Sequence, residues 1–121
     1  MDIYREIILD NYNHPHNFGR ILKPTVSSGQ NNPSCGDDIS MDIIVKNNLI
    51  TDIKFHGLGC AISIASASLL TENVLGKNID QINMMNKDDI LKLLGITLTP
   101  TRLKCALLPL EVLHKTISLI Q

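Results

Sequence analysis

Tryptophan is absent from this chain, and only two phenylalanines and two tyrosines occur among its 121 residues. Aliphatic side chains must therefore fill the core, and 44% hydrophobic against 19% charged residues favours a folded domain over disorder. A basic block is also absent, because 11 Lys and Arg residues against 12 Asp and Glu give a formal net charge of −1. This balance argues against a partner that is nucleic acid or an anionic membrane surface.

Long apolar runs are lacking too, since Ser, Lys or Pro interrupts each of them well before membrane-spanning length. Residues 1–6 carry early acidic residues and no hydrophobic region, so we expect no signal peptide and a cytoplasmic location. The length is that of one ordinary domain, and we expect residues 1–121 to form a single one.

Cysteine is scarce, and three is an odd number, which argues against a closed disulfide framework. In a reducing cytosol such thiols are either free and buried or bound to a metal. No C-x-x-C pair is present, which disfavours a thiol oxidoreductase.

The first half of the chain combines a helical pattern with a strand pattern. Apolar spacing predicts a helix from Asp2 to about Tyr12, with Asp2 available as its cap. Residues 16–36 are expected to be mostly loop, with a short edge strand near 25–28. Alternating apolar residues on both sides of Asn47-Asn48 then predict a β-hairpin, whose second strand we expect Gly57 and Gly59 to break.

The second half is expected to be helical. The predicted helices cover residues 61–75, 87–94 and 102–107, and a final helix starts near Pro109. A helix, a hairpin and then helices predict an α+β domain, with helices on one face of a small antiparallel sheet.

Each cysteine is expected at a structural break, where a rigid scaffold often holds functional groups. Cys35 lies in a turn before the hairpin, Cys60 at a helix start and Cys105 before a proline. Asp37 is two residues from Cys35, so in an extended segment both side chains point the same way. Three thiolates and one carboxylate equal the four ligands of tetrahedral zinc, and thiolates also hold Fe–S clusters. Spacing alone leaves open that the cysteines are ordinary buried core residues.

Three motifs carry a family resemblance. They are Asn-Pro-Ser-Cys-Gly-Asp at 32–37, Gly-Leu-Gly-Cys-Ala-Ile-Ser at 57–63 and Arg-Leu-Lys-Cys-Ala at 102–106. Together with the opening residues 4–12 and the Ala-Ser run at 65–68, they resemble the U-type iron–sulfur cluster assembly family (IscU, SufU and NifU N-terminal domains). The resemblance extends in order over nearly the whole chain.

The resemblance implies a three-stranded sheet with helices on one face and one site built from Cys35, Asp37, Cys60 and Cys105. It implies zinc or a transient Fe–S cluster at that site, with Cys35 as the sulfur acceptor. The implied partners are a pyridoxal-phosphate-dependent cysteine desulfurase, which delivers persulfide sulfur, and downstream Fe–S acceptor or carrier proteins. An enzymatic role would be sulfurtransferase-like at most, and a zinc module that only stabilises the fold is the alternative.

Two departures bear on the branch within the family. IscU-like members carry His before the third cysteine, where this chain has Lys104, and their Leu-Pro-Pro-Val-Lys motif is matched only loosely at 98–102. Both departures resemble the SufU-like branch, although the chain lacks the segment that this branch inserts before the third cysteine. Lys104 and Arg102 are expected either to act beside the site or to be ordinary surface residues. His14 and His16 are expected at the surface.

Overall fold

The computed structural model describes residues 3–33 and 36–120. In these residues the elements are α1 (Ile3–Asn13), β1 (Val26–Asn32), β2 (Asp37–Lys46), β3 (Leu49–Leu58), α2 (Ala61–Val74), α3 (Ile79–Asn83), α4 (Lys87–Leu94) and α5 (Pro100–Ser118). No helix in this part of the chain combines the length and apolarity that crossing a membrane requires.

The three strands form one antiparallel sheet in the order β1-β2-β3. Asn47 and Asn48 connect β2 to β3 with positive φ angles of 54° and 65°, as a two-residue hairpin turn requires. One face of the sheet buries its apolar side chains completely: Ile39, Met41 and Ile43 of β2, and Ile53 and Phe55 of β3. The predicted hairpin is therefore confirmed.

Helices α2 and α5 contact the sheet, and α1 and α4 pack against α2. Small residues in α2, among them Ser63, Ala65 and Ala67, are fully buried, so neighbouring elements can approach this helix closely. The α+β architecture with a three-stranded sheet and helices is thus confirmed, and the sheet and α2 share one core.

The sheet extends further than the sequence predicted. Strand β1 continues to Asn32, beyond the expected segment near 25–28, and β3 runs through Gly57 to Leu58. Gly57 has a φ of 134°, and a side chain there would collide with the carbonyl oxygen of Asp38 on β2. Glycine at this position permits the close approach of two strands instead of breaking one.

The prediction of two separate helices at the C-terminal end is wrong. Helix α5 is continuous from Pro100, with the Thr99 hydroxyl oxygen accepting a hydrogen bond from the Arg102 backbone N–H at 3.5 Å. Pro100 already occupies the first-turn position that favours proline, so Pro109 lies in the helix interior and is buried. The short helix α3 was not predicted. The expected cap, Asp2, lies outside the described residues.

A buried polar network ties α1 and the segment that follows it to α2. The Ser68 hydroxyl donates a hydrogen bond of 2.6 Å to the side-chain oxygen of Asn11, and it accepts one of 2.8 Å from the His16 backbone N–H. Because Ser68 and Asn11 are both buried, their hydrogen bonds replace those that water would make.

Asp42 of β2 is a buried carboxylate that anchors the segment before β1. Its side chain is 1% exposed, accepts hydrogen bonds from the Ser27 hydroxyl and, at 3.0 Å, from the Ile21 backbone N–H, and lies 3.8 Å from the Arg20 guanidinium. Burial raises the pKa of Asp42, but these hydrogen bonds and the nearby charges of His56 and Arg20 bring that pKa below its ordinary value. Folding is therefore coupled to ionisation of this carboxyl group.

We expect Asp42→Asn to lower the free energy of unfolding at pH 7 by about 1.5–3 kcal/mol, the contribution of hydrogen bonds to a charged group. Because the pKa of Asp42 is lower in the folded state, the stabilisation is complete above the unfolded pKa of about 4. It is lost as pH falls through the folded pKa. Denaturant unfolding between about pH 7 and pH 2 should show the difference between variant and wild type shrinking in acid.

The control for this prediction is Asp38→Asn, which changes an exposed aspartate on the same strand. We expect Asp38→Asn to change stability by no more than about 0.5 kcal/mol. A difference between Asp42→Asn and wild type that stays constant down to the lowest pH would contradict the assignment.

Candidate metal centre

Three candidate ligands from distant parts of the sequence converge at one end of the sheet. Asp37 is the first residue of β2, Cys60 directly precedes α2, and Cys105 lies in the second turn of α5. One ligand atom from each side chain lies within 4.8 Å of the others. The strand register explains the first two, because Asp38 pairs with Leu58 and so places the start of β2 beside the loop that leads to Cys60.

Asp37 holds the start of α2 through its carboxylate. Its Oδ1 accepts a 3.0 Å hydrogen bond from the Cys60 backbone N–H, and its Oδ2 lies 3.6 Å from the Cys60 Sγ. Cys60 is the N-cap residue of α2 but forms no side-chain cap hydrogen bond of its own. Asp37 and Cys60 therefore meet at the N-terminus of α2, where the partial positive charge of the helix attracts anionic groups.

Cys105 occupies a different structural context from the one predicted. It lies inside a continuous helix and not in a break before one, and it is only 4% exposed. Side chains in a helix point back towards its N-terminus, which directs a second-turn thiol towards the end of α5 nearest the site. Asp37 is 3% exposed, whereas Cys60 is partly exposed. One thiol of the cluster is therefore accessible from outside.

The donor set fits a zinc ion, and so does the distance between its Cys60 and Asp37 ligand atoms. Tetrahedral zinc with bonds of about 2.3 Å to sulfur and about 2.0 Å to oxygen separates those two ligand atoms by about 3.5 Å. The distance of 3.6 Å between Cys60 Sγ and Asp37 Oδ2 is close to this value. Thiolate and carboxylate donors together suit Zn²⁺, and thiolates also suit an Fe–S cluster.

Cys35, the fourth expected ligand, lies outside the described residues. On its C-terminal side Gly36 has a φ of 75°, and its N–H donates a 2.8 Å hydrogen bond to the carbonyl oxygen of Asn32. The chain therefore reverses between β1 and β2 with a glycine in the left-handed conformation. The role of Cys35 stays a prediction.

The other polar residues singled out in the sequence lie outside the cluster. Lys104 is exposed and lines a cleft of about 280 Å³ between the end of β1 and α5. Arg102 is exposed and lines a separate groove of about 360 Å³, together with Arg5. His14 and His16 are exposed, and neither belongs to the ligand group.

A family model described as "NifU-like N terminal domain" matches residues 3–120. The chain belongs to this family. It is 35% identical to the "Zinc-dependent sulfurtransferase SufU" of Bacillus subtilis (strain 168), over 96% of this chain and 90% of that protein. It is 38% identical to the "Iron-sulfur cluster assembly enzyme IscU" of Drosophila melanogaster, over 88% of this chain and 70% of that protein.

The fold also agrees with solved structures of this NifU-like family. A protein of Fervidobacterium islandicum AW-1, assigned as an iron–sulfur cluster assembly scaffold for the SUF system, superposes with a TM-score of 0.83. It is 27% identical, and the match covers 93% of this chain and 94% of that one. The resemblance stated from the sequence motifs is thus confirmed.

The comparison with SufU also bears on chain length. Its alignment runs over 133 positions, more than the 121 residues of this chain, so the SufU relative has residues with no counterpart here. The SufU relative is consistent with a position of this NifU-like chain close to the SufU-like branch.

We expect Asp37→Asn to weaken metal retention while the protein stays folded. An amide can still accept the hydrogen bond from Cys60 N–H, but it lacks the charge that makes a carboxylate a ligand. Loss of a group that hydrogen-bonds to a metal ligand typically lowers metal affinity by about 10- to 100-fold. Loss of a ligand itself should have at least the smaller of these effects, so we expect zinc transfer to a chromogenic chelator to be at least about tenfold faster than in wild type.

Asp38→Asn, one residue further along β2 and exposed, is the matched control. Circular dichroism of both variants should match that of wild type. If zinc transfer from Asp37→Asn is as slow as from wild type, Asp37 is not a metal ligand and serves only to begin β2 and to hold the start of α2.

Proposed function

We propose that this chain is an iron–sulfur cluster assembly protein of the cytoplasm. It accepts persulfide sulfur from a pyridoxal-phosphate-dependent cysteine desulfurase and passes it on towards Fe–S acceptor or carrier proteins. Cys35, Asp37, Cys60 and Cys105 hold zinc or a nascent Fe–S cluster. The observation that carries this proposal is the convergence of Asp37, Cys60 and Cys105 within 4.8 Å.

Zinc bound at such a site keeps its thiolate ligands deprotonated at neutral pH, because metal and proton compete for the same sulfur. Affinity for zinc should consequently fall in acid. Support for zinc as the resident metal comes from the donor set and from the SufU relative, which is named a zinc-dependent sulfurtransferase. Asp37 is the hard ligand among soft thiolates and is therefore the one that yields most readily when sulfur or a partner arrives.

Cys35 is the sulfur acceptor in this proposal. Its thiolate attacks the terminal sulfur of the desulfurase persulfide, the sulfur–sulfur bond of the donor breaks, and the donor cysteine leaves as a thiolate. Cys35 then carries the persulfide, and no net oxidation or reduction takes place. Cys60 and Cys105 are less suited to this role. The Cys60 backbone N–H donates a hydrogen bond to Asp37, and Cys105 is held within a helix, so neither can move easily towards a partner.

A zinc module that only stabilises the fold is the second candidate. The burial of Asp37 and Cys105, at 3% and 4% exposure, suits such a closed site. Partial exposure of Cys60 instead favours a site that a partner can reach. Sulfur uptake distinguishes the two functions, because a purely structural site would take up none.

We expect incubation with a cysteine desulfurase and L-cysteine to place a persulfide on Cys35. Lysines between the cysteines let trypsin release each cysteine in its own peptide, so alkylation and mass spectrometry can assign the added sulfur. Cys35→Ser should abolish the modification, and omission of L-cysteine is the negative control. Persulfide confined to Cys105 would contradict the assignment of Cys35, and absence of persulfide on every cysteine would contradict sulfur transfer altogether.

A further inference from the structure

Pro109 interrupts the hydrogen-bond ladder of α5 one turn after Cys105. Proline has no N–H, so residue 109 cannot donate the intrahelical hydrogen bond to the Cys105 carbonyl, and its ring crowds that carbonyl. The interruption lies at a buried residue in the interior of α5 and not at the start of the helix. The turn that carries the Cys105 thiol therefore has one fewer backbone restraint than a regular helix would provide.

Ser66 supplies a donor to that same turn from another helix. Its hydroxyl on α2 donates a 2.6 Å hydrogen bond to the carbonyl oxygen of Ala106, the residue next to Cys105. Ser66 is 1% exposed and Ala106 is fully buried, so water cannot readily replace the bond. Inside a continuous helix the Ala106 carbonyl oxygen is also the acceptor for the Leu110 N–H. Loss of the Ser66 hydroxyl therefore removes a link between the two helices without leaving that carbonyl unpaired.

This hydrogen bond joins the two helices that bear candidate ligands. Cys60 directly precedes α2 and Ser66 follows it by six residues, while Cys105 and Ala106 are neighbours on α5. Helices α2 and α5 are in contact, and Ala106 is fully buried with a small side chain. The Ser66 bond therefore links the position of the Cys105 turn to the helix that starts at Cys60.

We propose that Ser66 is a positioning residue for the metal centre: it fixes the Cys105 turn against α2, offsetting the restraint that Pro109 removes. The consequence for metal binding rests on the proposed function, whereas the effect on the Cys105 thiol does not. The sequence shows a serine-rich helix and a proline after Cys105, but it does not show that Ser66 contacts the helix that contains Pro109.

Ser68 offers a matched control on the same helix. It is fully buried and also donates a 2.6 Å hydrogen bond, but its partner is Asn11 of α1 instead of the cysteine-bearing turn of α5. Ser66→Ala and Ser68→Ala thus each remove a buried hydroxyl and a donated bond of 2.6 Å. Ser68→Ala also removes the bond that Ser68 accepts from the His16 N–H, so it is the more disruptive of the two for general stability. A general loss of stability should appear in both variants, and a change at the metal centre only in Ser66→Ala.

The experiment measures zinc affinity by competition with a chromogenic chelator, and it records the visible absorption of the Co²⁺-substituted proteins. We expect Ser66→Ala to bind zinc about tenfold more weakly than wild type, as loss of supporting contacts around metal ligands does. Its Co²⁺ ligand-field bands should shift, whereas Ser68→Ala should match wild type in both readouts. Pro109→Ala restores an N–H and should reduce the effect of Ser66→Ala when the two are combined.

Alkylation of Cys105 in the metal-free proteins separates this inference from the proposed function. Ser66→Ala should increase the alkylation rate of this buried thiol relative to Ser68→Ala, whether or not wild type binds zinc. Failure of wild type to bind zinc would contradict the proposed metal centre alone. Equal Cys105 alkylation rates in the two serine variants, or equal zinc affinities in a zinc-binding protein, would overturn the positioning role.

Discussion

The hydrogen bond from the Cys60 backbone N–H to the Asp37 carboxylate joins the sheet to the central helix, and the geometry of the site depends on it. One oxygen of Asp37 accepts this bond, which leaves the other facing the Cys60 thiol at 3.6 Å. A single side chain therefore begins a strand, supports a helix N-terminus and offers a metal ligand. The carboxylate and the thiol are thus held together at the N-terminal end of α2.

The third ligand reaches the site by a different route. Thr99 and Pro100 begin α5 early enough to place Cys105 in its second turn, and Pro109 cannot donate the backbone hydrogen bond that the Cys105 carbonyl would accept in a regular helix. The Ser66 hydroxyl from α2 bonds to this region. Contacts between helices, and not local helix geometry alone, therefore determine where the third thiol lies relative to the other two ligands.

Sequence patterns predicted the local elements well and the long-range contacts poorly. The Asn47-Asn48 turn and the alternation around it specified the hairpin, since turn chemistry and side-chain period are local properties. The predictions for Gly57 and Pro109 are wrong, because each residue is explained by its three-dimensional environment. Gly57 permits the close approach of β2, and Pro109 lies in a helix that already begins at Pro100. The cysteine motifs grouped Cys35, Asp37, Cys60 and Cys105, and the geometry brings the last three within 4.8 Å of one another. The motifs could not show the exposure of each thiol, nor the part played by Ser66.

We propose that the thiols of Cys35, Cys60 and Cys105 and the carboxylate of Asp37 surround a single metal ion. Zinc K-edge X-ray absorption of protein purified without oxygen tests it most directly. We expect three sulfur atoms at about 2.3 Å and one oxygen at about 2.0 Å around the zinc, and a loss of zinc in the double variant Cys60→Ser/Cys105→Ser. A shell made only of nitrogen and oxygen, or zinc retained in full by the double variant, would contradict it.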